Sequence, residues 1–389
     1  MNVLERLDAK LGLSQDEALL LESVRALSRE KIAPRAAGHD RNSSFPWDNV
    51  ADINALGLNA MFIPEAYGGA PLSYKCYLAC VREISKACAS TGVIWATNFH
   101  AMGPVVAFGN EEQKQRLLLN IAQGGIGALA ITEATAGSDA TGMKTRFRPD
   151  GDSIVIDGAK LFISNGDVAD RLLLFGKWSE IEDAKASISV LVLEKGTPGF
   201  SVLRTEDKLG TRASGTAALS FENCRVPRAN LIGNPGDGLR ILFASLNKSR
   251  PSIAAHALGI ARAAFEDAVD YINERRQSGR RILEFQGIQF MIADLAAELS
   301  LCESMLWRLA EWVDEGEADI AVEASMLKLR ASDLAMRAAT DAVQLLGGYG
   351  YCKDYRAERL MRDAKITQIW EGTNQIHRQL IGRSFLRKI

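Results

Sequence analysis

The chain has 389 residues, 47% of them apolar and 24% charged, with a formal net charge of −2. That length exceeds one ordinary core, so two or three domains are expected, and the balanced charge argues against a nucleic-acid partner, because affinity for a phosphate backbone needs clustered Lys and Arg. Six scattered cysteines without a C-x-x-C pair fit reduced thiols, and the four histidines, at 39, 100, 256 and 377, show no metal-ligand spacing.

The first twenty residues, MNVLERLDAKLGLSQDEALL, carry acids early and lack a long apolar run. No signal peptide is expected, no stretch reaches the roughly 20 apolar residues of a membrane span, and a cytoplasmic location follows as the expectation. Residues 1–124 read as a helical domain. Apolar residues recur at three-four spacing after Asp16. The run 110–123 has Asn110 as an N-cap, acids in its first turn, and an end at Gly124-Gly125. The character changes near 125. Residues 153–157, 171–175, 187–193 and 217–221 are short, apolar and often β-branched, separated by Gly and Asp clusters, which predicts a β domain of hairpins over 125–237. From 238 to 389 helix returns, with long segments expected at 252–275, 288–315, 318–347 and 372–387, the pattern of a bundle. This α+β order has no βαβ alternation and no G-x-G-x-x-G after a strand, so a dinucleotide-binding fold of that type is not supported.

Seven segments carry polar residues in patterns that chemistry uses. In 129–139, LAITEATAGSD, small residues around Gly137 let backbone N–H groups and the Thr132 and Ser138 hydroxyls approach a flat polar ligand; a locally bonded turn reads the same. In 160–166, KLFISNG, an aromatic and a hydroxyl offer one stacking face and one donor, or simply end a strand. Residues 208–216, KLGTRASGT, read as a glycine-containing loop. NKSRP, 247–251, opens a long helix with Arg250 suited to an anion, a carbonyl or a nearby acid. ERRQSGRR, 274–281, places four arginines where they can hold a pyrophosphate through forked contacts or form a solvated face. QLLGGYG, 344–350, precedes RDAKITQIWEGTNQ, 362–375. There Glu371 lies between Trp370 and Gly372; an apolar neighbour and a close backbone would raise a carboxylate's pKa and suit it to general-base work. A surface Glu beside a helix start is the plain alternative.

Taken in order and at this spacing, TEATAGSD, LFISNG, KLGTRASGT with FENCRVP, NKSRP, ERRQSGR with FQ, QLLGGYG and RDAKITQIWEGTNQ closely resemble the acyl-CoA dehydrogenase family, from about residue 15 to the C-terminus. The resemblance implies an N-terminal helical domain, a middle β-barrel or sandwich and a C-terminal four-helix bundle, with FAD as cofactor and an acyl-CoA as substrate. It implies that Glu371 takes the α-proton while the β-hydrogen leaves as hydride to the flavin, the thioester carbonyl lying against the Glu371 backbone N–H and a ribityl hydroxyl. Leu129, Ile131, Thr132 and Ser138 would lie along the flavin, with Phe162 and Ser164 on its other side. Ser138, Asn247, Arg250 and Gly372 would contact substrate. Arg275 and Gln286, with Gln344, Leu345, Gly347 and Gly348, would reach the FAD of a neighbouring subunit, and Thr373 and Gln375 the adenosine diphosphate end. Sites shared across an interface imply an oligomer, in this family a homotetramer built as a dimer of dimers. Some members carry the base on the helix beginning near 247, where this chain has Ser249 and no acid. The chain departs from the family pattern at Phe162, where tryptophan is common, at Ala134 for proline, and at Ser278 for phenylalanine, which bears on the interface contacts to FAD.

Trp95 and Phe99 match the helix that lines the acyl pocket, and with Trp370 they favour a short or branched acyl chain, unless the rings only pack the core. The leading expectation is a dehydrogenase passing electrons to electron-transfer flavoprotein. The rivals are a flavin oxidase on the same fold and a non-catalytic acyl-CoA-binding protein, against which the retained Glu371 argues.

Overall fold

The structure is a computed structural model that describes residues 3–386. Helices open it: α1 (Val3–Asp8), α2 (Gln15–Leu27), α3 (Ala33–Asn42), α4 (Trp47–Ala55), α5 (Tyr74–Ala87), α6 (Ala89–Phe108) and α7 (Glu111–Ala122). Their ends follow local chemistry. Ser14 with Glu17, and Asn110 with Gln113, form reciprocal capping boxes that satisfy first-turn N–H groups. One π-helical turn, Ser28–Ile32, joins α2 to α3.

Eight strands follow: β1 (Gly127–Ala130), β2 (Arg146–Asp150), β3 (Ser153–Ser164), β4 (Arg171–Trp178), β5 (Ile188–Glu194), β6 (Phe200–Thr205), β7 (Thr216–Pro227) and β8 (Leu231–Ile232). They form one sheet in the order β6-β7-β3-β2-β4-β5-β8, with β1 also paired to β4. The expectation of hairpins alone needs correcting, because β1 and β2 both run parallel to β4. Along β4, Leu173 and Phe175 face the core shared with α6 and α7, while Leu172 and Leu174 face the core closed by Phe147 and Phe221. That alternation is the two-residue period of a strand buried on both faces.

The C-terminal part comprises α8 (Gly238–Glu274), a small ribbon of β9 (Arg276–Gln277) and β10 (Arg280–Arg281), then α9 (Gln286–Asp314), α10 (Ala321–Leu346), α11 (Gly348–Tyr351), α12 (Ala357–Ile366) and α13 (Asn374–Ser384). Two expected helix starts move. α8 begins well before 247 and carries Pro251 inside it. Proline removes the N–H that would bond the carbonyl of Asn247, and one residue further on the Lys248 carbonyl accepts the hydroxyl of Tyr74 on α5. The last helix starts at Asn374, because Glu371 and Gly372 have φ of 51° and 95° and cannot continue a right-handed helix. Residue 387, expected in that helix, lies outside the described residues.

One helical core joins α2, α5, α8, α9 and α10. An ion cluster is buried within it. Asp8 meets Arg82 Nη2 at 2.8 Å and Arg262 Nη1 at 2.9 Å, and Glu303 meets Arg262 Nε at 2.6 Å and Arg82 Nη1 at 3.2 Å. Among the described residues, no helix is long and apolar enough to cross a membrane, and no group of three His, Cys, Asp or Glu is placed to hold a metal.

Candidate active site

Glu371 stands on the turn between α12 and α13, half-buried. Its Oε2 accepts the Ser249 hydroxyl of α8 at 2.6 Å. A non-glycine residue at positive φ is strained and persists only where its surroundings fix it. Here they do. The fully buried Lys328 of α10 donates Nζ–H to the Gly372 carbonyl at 2.6 Å and to Asn374 Oδ1 at 3.1 Å. Asn374 is in turn held by Ser332 and Asp333. A Cβ on Gly372 would come within 3.0 Å of His377 Nε2, and its φ of 95° favours glycine besides. Burial pushes the Lys328 ammonium down to about 7 against the pull of the Glu371 carboxylate. Burial, with Lys328 and Arg250 beside it, pushes His377 down to about 3, so its ring is neutral.

Arg250 is buried in the fourth turn of α8, its Nη1 3.5 Å from Ser325 Oγ. It thus sits in the protein interior on the Glu371 side of the helix, its guanidinium lowered by burial and supported by the Glu371 charge. Asn247, one turn earlier, is half-buried and donates to the Ala318 carbonyl at 3.4 Å.

The expected flavin-facing segments are brought together on the sheet. Between Lys160 and Ile163 the pairing of β3 with β7 slips by a residue, a bulge. Phe162 occupies it at φ 60° and is 59% exposed. Beside it, the Leu161 N–H donates to the Thr132 carbonyl at 2.9 Å. Lys160 Nζ–H donates to Glu133 Oε1 at 2.8 Å and to the Ile131 carbonyl at 2.9 Å, a buried brace between β3 and the 131–133 loop. Burial pushes Lys160 down to about 8, with Glu133 opposing that shift. Leu129, Ile131, Thr132 and Ser164 are half-buried around this brace, and Ser138 is exposed further along the loop. Asn165 is buried at φ 61° and ties the segment to α6 and β1 through Nδ2–H bonds to the carbonyls of Ile94, 3.0 Å, and Gly127, 3.1 Å. The 208–216 loop also has a structural partner: the Thr211 N–H donates to buried Asp363 of α12 at 2.5 Å.

A separate cleft of about 640 Å³ gathers Arg275, Gln344, Leu345, Gly347 and Gly348 with Tyr349. Gln286, the first residue of α9, is exposed and does not line it. Neither Gly347 nor Gly348 has any atom within 4 Å of where a Cβ would stand, so their backbone is open to approach. Ser278, with Gly279, forms the left-handed tip of the β9–β10 ribbon at φ 52°. Thr373 caps α13, its hydroxyl accepting the Ile376 N–H at 3.3 Å, and Gln375 is exposed one residue into that helix.

The sequence reading missed Lys328, His377 and the pair Glu133–Lys160. Lys328 had a signal. It falls on the stripe Ala324, Ala331, Ala335, Ala338, Ala342, where a charged residue in an apolar row marks a buried partner.

Helices, sheet and helices in this order match three family models in succession: the acyl-CoA dehydrogenase N-terminal domain over residues 14–125, the middle domain over 128–224 and the C-terminal domain over 236–386. Fold and site together define a flavoprotein oxidoreductase acting on a CH–CH pair. The chain belongs to the acyl-CoA dehydrogenase family, whose members depend on FAD. It is 42% identical to an acyl-CoA dehydrogenase of Bacillus subtilis, over 97% of this chain and 99% of that one. Among solved structures it is similar to a chain from work on the "Electron transferring flavoprotein of Acidaminococcus fermentans", at TM-score 0.94, 40% identity and coverage of 97% and 99%. It is also similar to butyryl-CoA dehydrogenase from Megasphaera elsdenii, at TM-score 0.93, 34% identity and the same coverage. The residues present fit FAD: Phe162 offers an exposed aromatic face on a bulge, and Gly347 and Gly348 offer open backbone in a cleft with Arg275.

Proposed function

We propose that the chain dehydrogenates a short acyl-CoA, with Glu371 as the base that takes the α-proton, and that its electrons pass to electron-transfer flavoprotein. The observation that carries this reading is the carboxylate on a strained turn, aimed by Ser249 at 2.6 Å and fixed from behind by Lys328 through Gly372. A general base must be held within reach of the proton it removes, and this one has little freedom to leave its position. FAD, when bound, accepts the β-hydrogen as hydride.

The chain's own residues do the rest. Tyr77, Trp95 and Phe99 form an aromatic wall, with ring centroids 5.4 Å apart for Tyr77–Trp95 and 4.5 Å for Tyr77–Phe99. Three bulky rings on this side of the site favour a short chain over a long one. The wall is also core packing, so both readings of these rings hold together. The Glu371 N–H faces the thioester carbonyl and favours the negative charge that grows there. Leu129, Ile131, Thr132, Phe162 and Ser164 hold the flavin ring, with Ser138 at its substrate side. Asn247 and Gly372 contact the substrate, while Arg250, buried, supplies positive potential to the thioester end. Arg275, Gln286, Gln344, Leu345, Gly347 and Gly348 serve the FAD of a second copy, with Thr373 and Gln375 at its adenosine diphosphate, in a cytoplasmic homotetramer. The domains run 1–124, 125–237 and 238–389. The acceptor is supported by the likeness to the Acidaminococcus chain, and the short substrate by the likeness to butyryl-CoA dehydrogenase.

The test is anaerobic bleaching of the yellow protein by a panel of acyl-CoAs. Glu371→Gln should keep its flavin and lose about 10²–10⁴-fold in bleaching rate. Wild-type-like bleaching by that variant means another group is the base; fastest turnover on a chain of twelve carbons or more removes the short-chain reading.

A further inference from the structure

The helix face beside Glu371 is more polar than a site for hydrocarbon alone would need. On α8, Ser249, Ser252 and His256 recur at i, i+3 and i+7 and so share one face of the helix. Ser249 binds Glu371. Ser252 meets the Tyr77 hydroxyl at 2.9 Å. His256 packs its ring 5.4 Å from Trp370, the residue before the base. From α6, His100 lies edge-on to Phe99, 6.3 Å between centroids, and Phe99 stacks on Tyr77. His100 is close enough to His256 for its charge to be felt there, and close enough to Glu371 to feel that carboxylate. His100 and His256 are at least nine-tenths buried. Yet His100 Nε2, His256 Nε2 and Trp370 Nε1 have no hydrogen-bond partner among the described residues. His256 Nδ1 is engaged, by Ser85 Oγ at 2.9 Å.

A buried polar atom left unpaired is unfavourable, and native proteins nearly always satisfy such atoms. Three of them on side chains that neighbour one another, next to the proposed base, mark a position for a polar group. We propose that the acyl group of the substrate carries an uncharged oxygen, a hydroxyl or an oxo group, received by His256 and His100 at the inner end of the pocket. This rests on the acyl-CoA dehydrogenase reading above and names its substrate class.

Chemistry selects the neutral oxygen over a carboxylate. Burial, aided by His100, pushes His256 down to about 3, so the ring carries no charge with which to meet an anion. A second carboxylate would also be placed near that of Glu371. A neutral imidazole, by contrast, donates or accepts according to its tautomer, so Nε2 suits a carbonyl in one form and a hydroxyl in the other. An alkyl chain of the same length would leave both rings unpaired. A site built to hydrogen-bond an oxygen discriminates strongly against the analogue lacking it.

The experiment uses the flavin-loaded protein and pairs of thioesters matched in length: pentanoyl-CoA against 4-hydroxypentanoyl-CoA and 4-oxopentanoyl-CoA, with glutaryl-CoA as the anionic member. Anaerobic bleaching gives kcat/KM for each. At least one oxygenated thioester should exceed pentanoyl-CoA by about tenfold or more. In His256→Leu and in His100→Leu that ratio should fall at least tenfold, with flavin absorbance reporting that each variant is folded and loaded. A wild-type preference for pentanoyl-CoA, equal rates, or the best rate on glutaryl-CoA each overturns the proposal while leaving the dehydrogenase reading intact. Ratios unchanged in both variants overturn the roles of the two histidines. Bleaching by none of the thioesters removes the dehydrogenase reading and this inference with it.

Discussion

At the scale of the residue, the site is a strained turn held from several sides. Gly372 needs its left-handed φ, and a methyl group there would meet His377. Gly372→Ala should therefore lose about 1–2 kcal/mol of stability and displace the Glu371 carboxylate, which thermal melting and bleaching rates measure together. A variant with wild-type bleaching would mean the turn is less constrained than its φ values state. The sequence showed Glu371 and its neighbours through the WEGT motif, but not the means by which they are held. Lys328 is 43 residues away along the chain, and a lysine on a long helix reads as a solvated charge until the apolar stripe around it is counted. His256 and His100 were visible only as histidines without metal spacing; their relation to each other exists only once α6 and α8 pack.

At the scale of the element, the bulge in β3 and the Glu133–Lys160 brace decide where an aromatic face points. Strand propensity found the first five residues of β3, but the strand runs to Ser164, and the slip in register that exposes Phe162 depends on pairing with β7. Pairing of this kind is non-local and leaves little trace in one segment. The short β1, β2, β6 and β8 went unread for the same reason: RFRPD and a two-residue bridge carry no alternation to detect. Lys160→Met strands the Glu133 carboxylate, which is also bonded by the Lys144 N–H and by the N–H and hydroxyl of Thr145. Removing one partner of a buried pair costs about 3–5 kcal/mol. The variant should melt lower and release FAD at higher protein concentration than the wild type; equal FAD retention would show that the brace has no part in positioning the flavin segments.

At the scale of the whole molecule, buried ionisable groups set the response to acid. An unfolded histidine takes its proton near pH 6.5. Burial holds His256 and His377 neutral down to about 3. Between those values the unfolded chain binds more protons, so stability present above pH 6.5 falls as pH drops toward 3. From pH 6.5 to 5 the two together should cost about 3 kcal/mol. Asp363 works the other way: burial raises it to about 6, so the folded state gains a proton first and recovers about 1 kcal/mol. The net loss of about 2 kcal/mol is read from denaturant midpoints at the two pH values, and Asp363→Asn should steepen it. A flat profile would mean that the two rings are not neutral in the folded protein.

Asp8 ends the six-residue α1, yet its carboxylate is a counter-charge for Arg82 and Arg262 deep among the helices. Trimming the first ten residues, or changing Asp8→Asn, would leave two guanidinium groups in a dry interior with one anion fewer, a loss of about 3 kcal/mol that a melting curve reveals. A protease cut that removes Asp8 therefore weakens the whole helical core, although nothing near the reacting carbons has been altered.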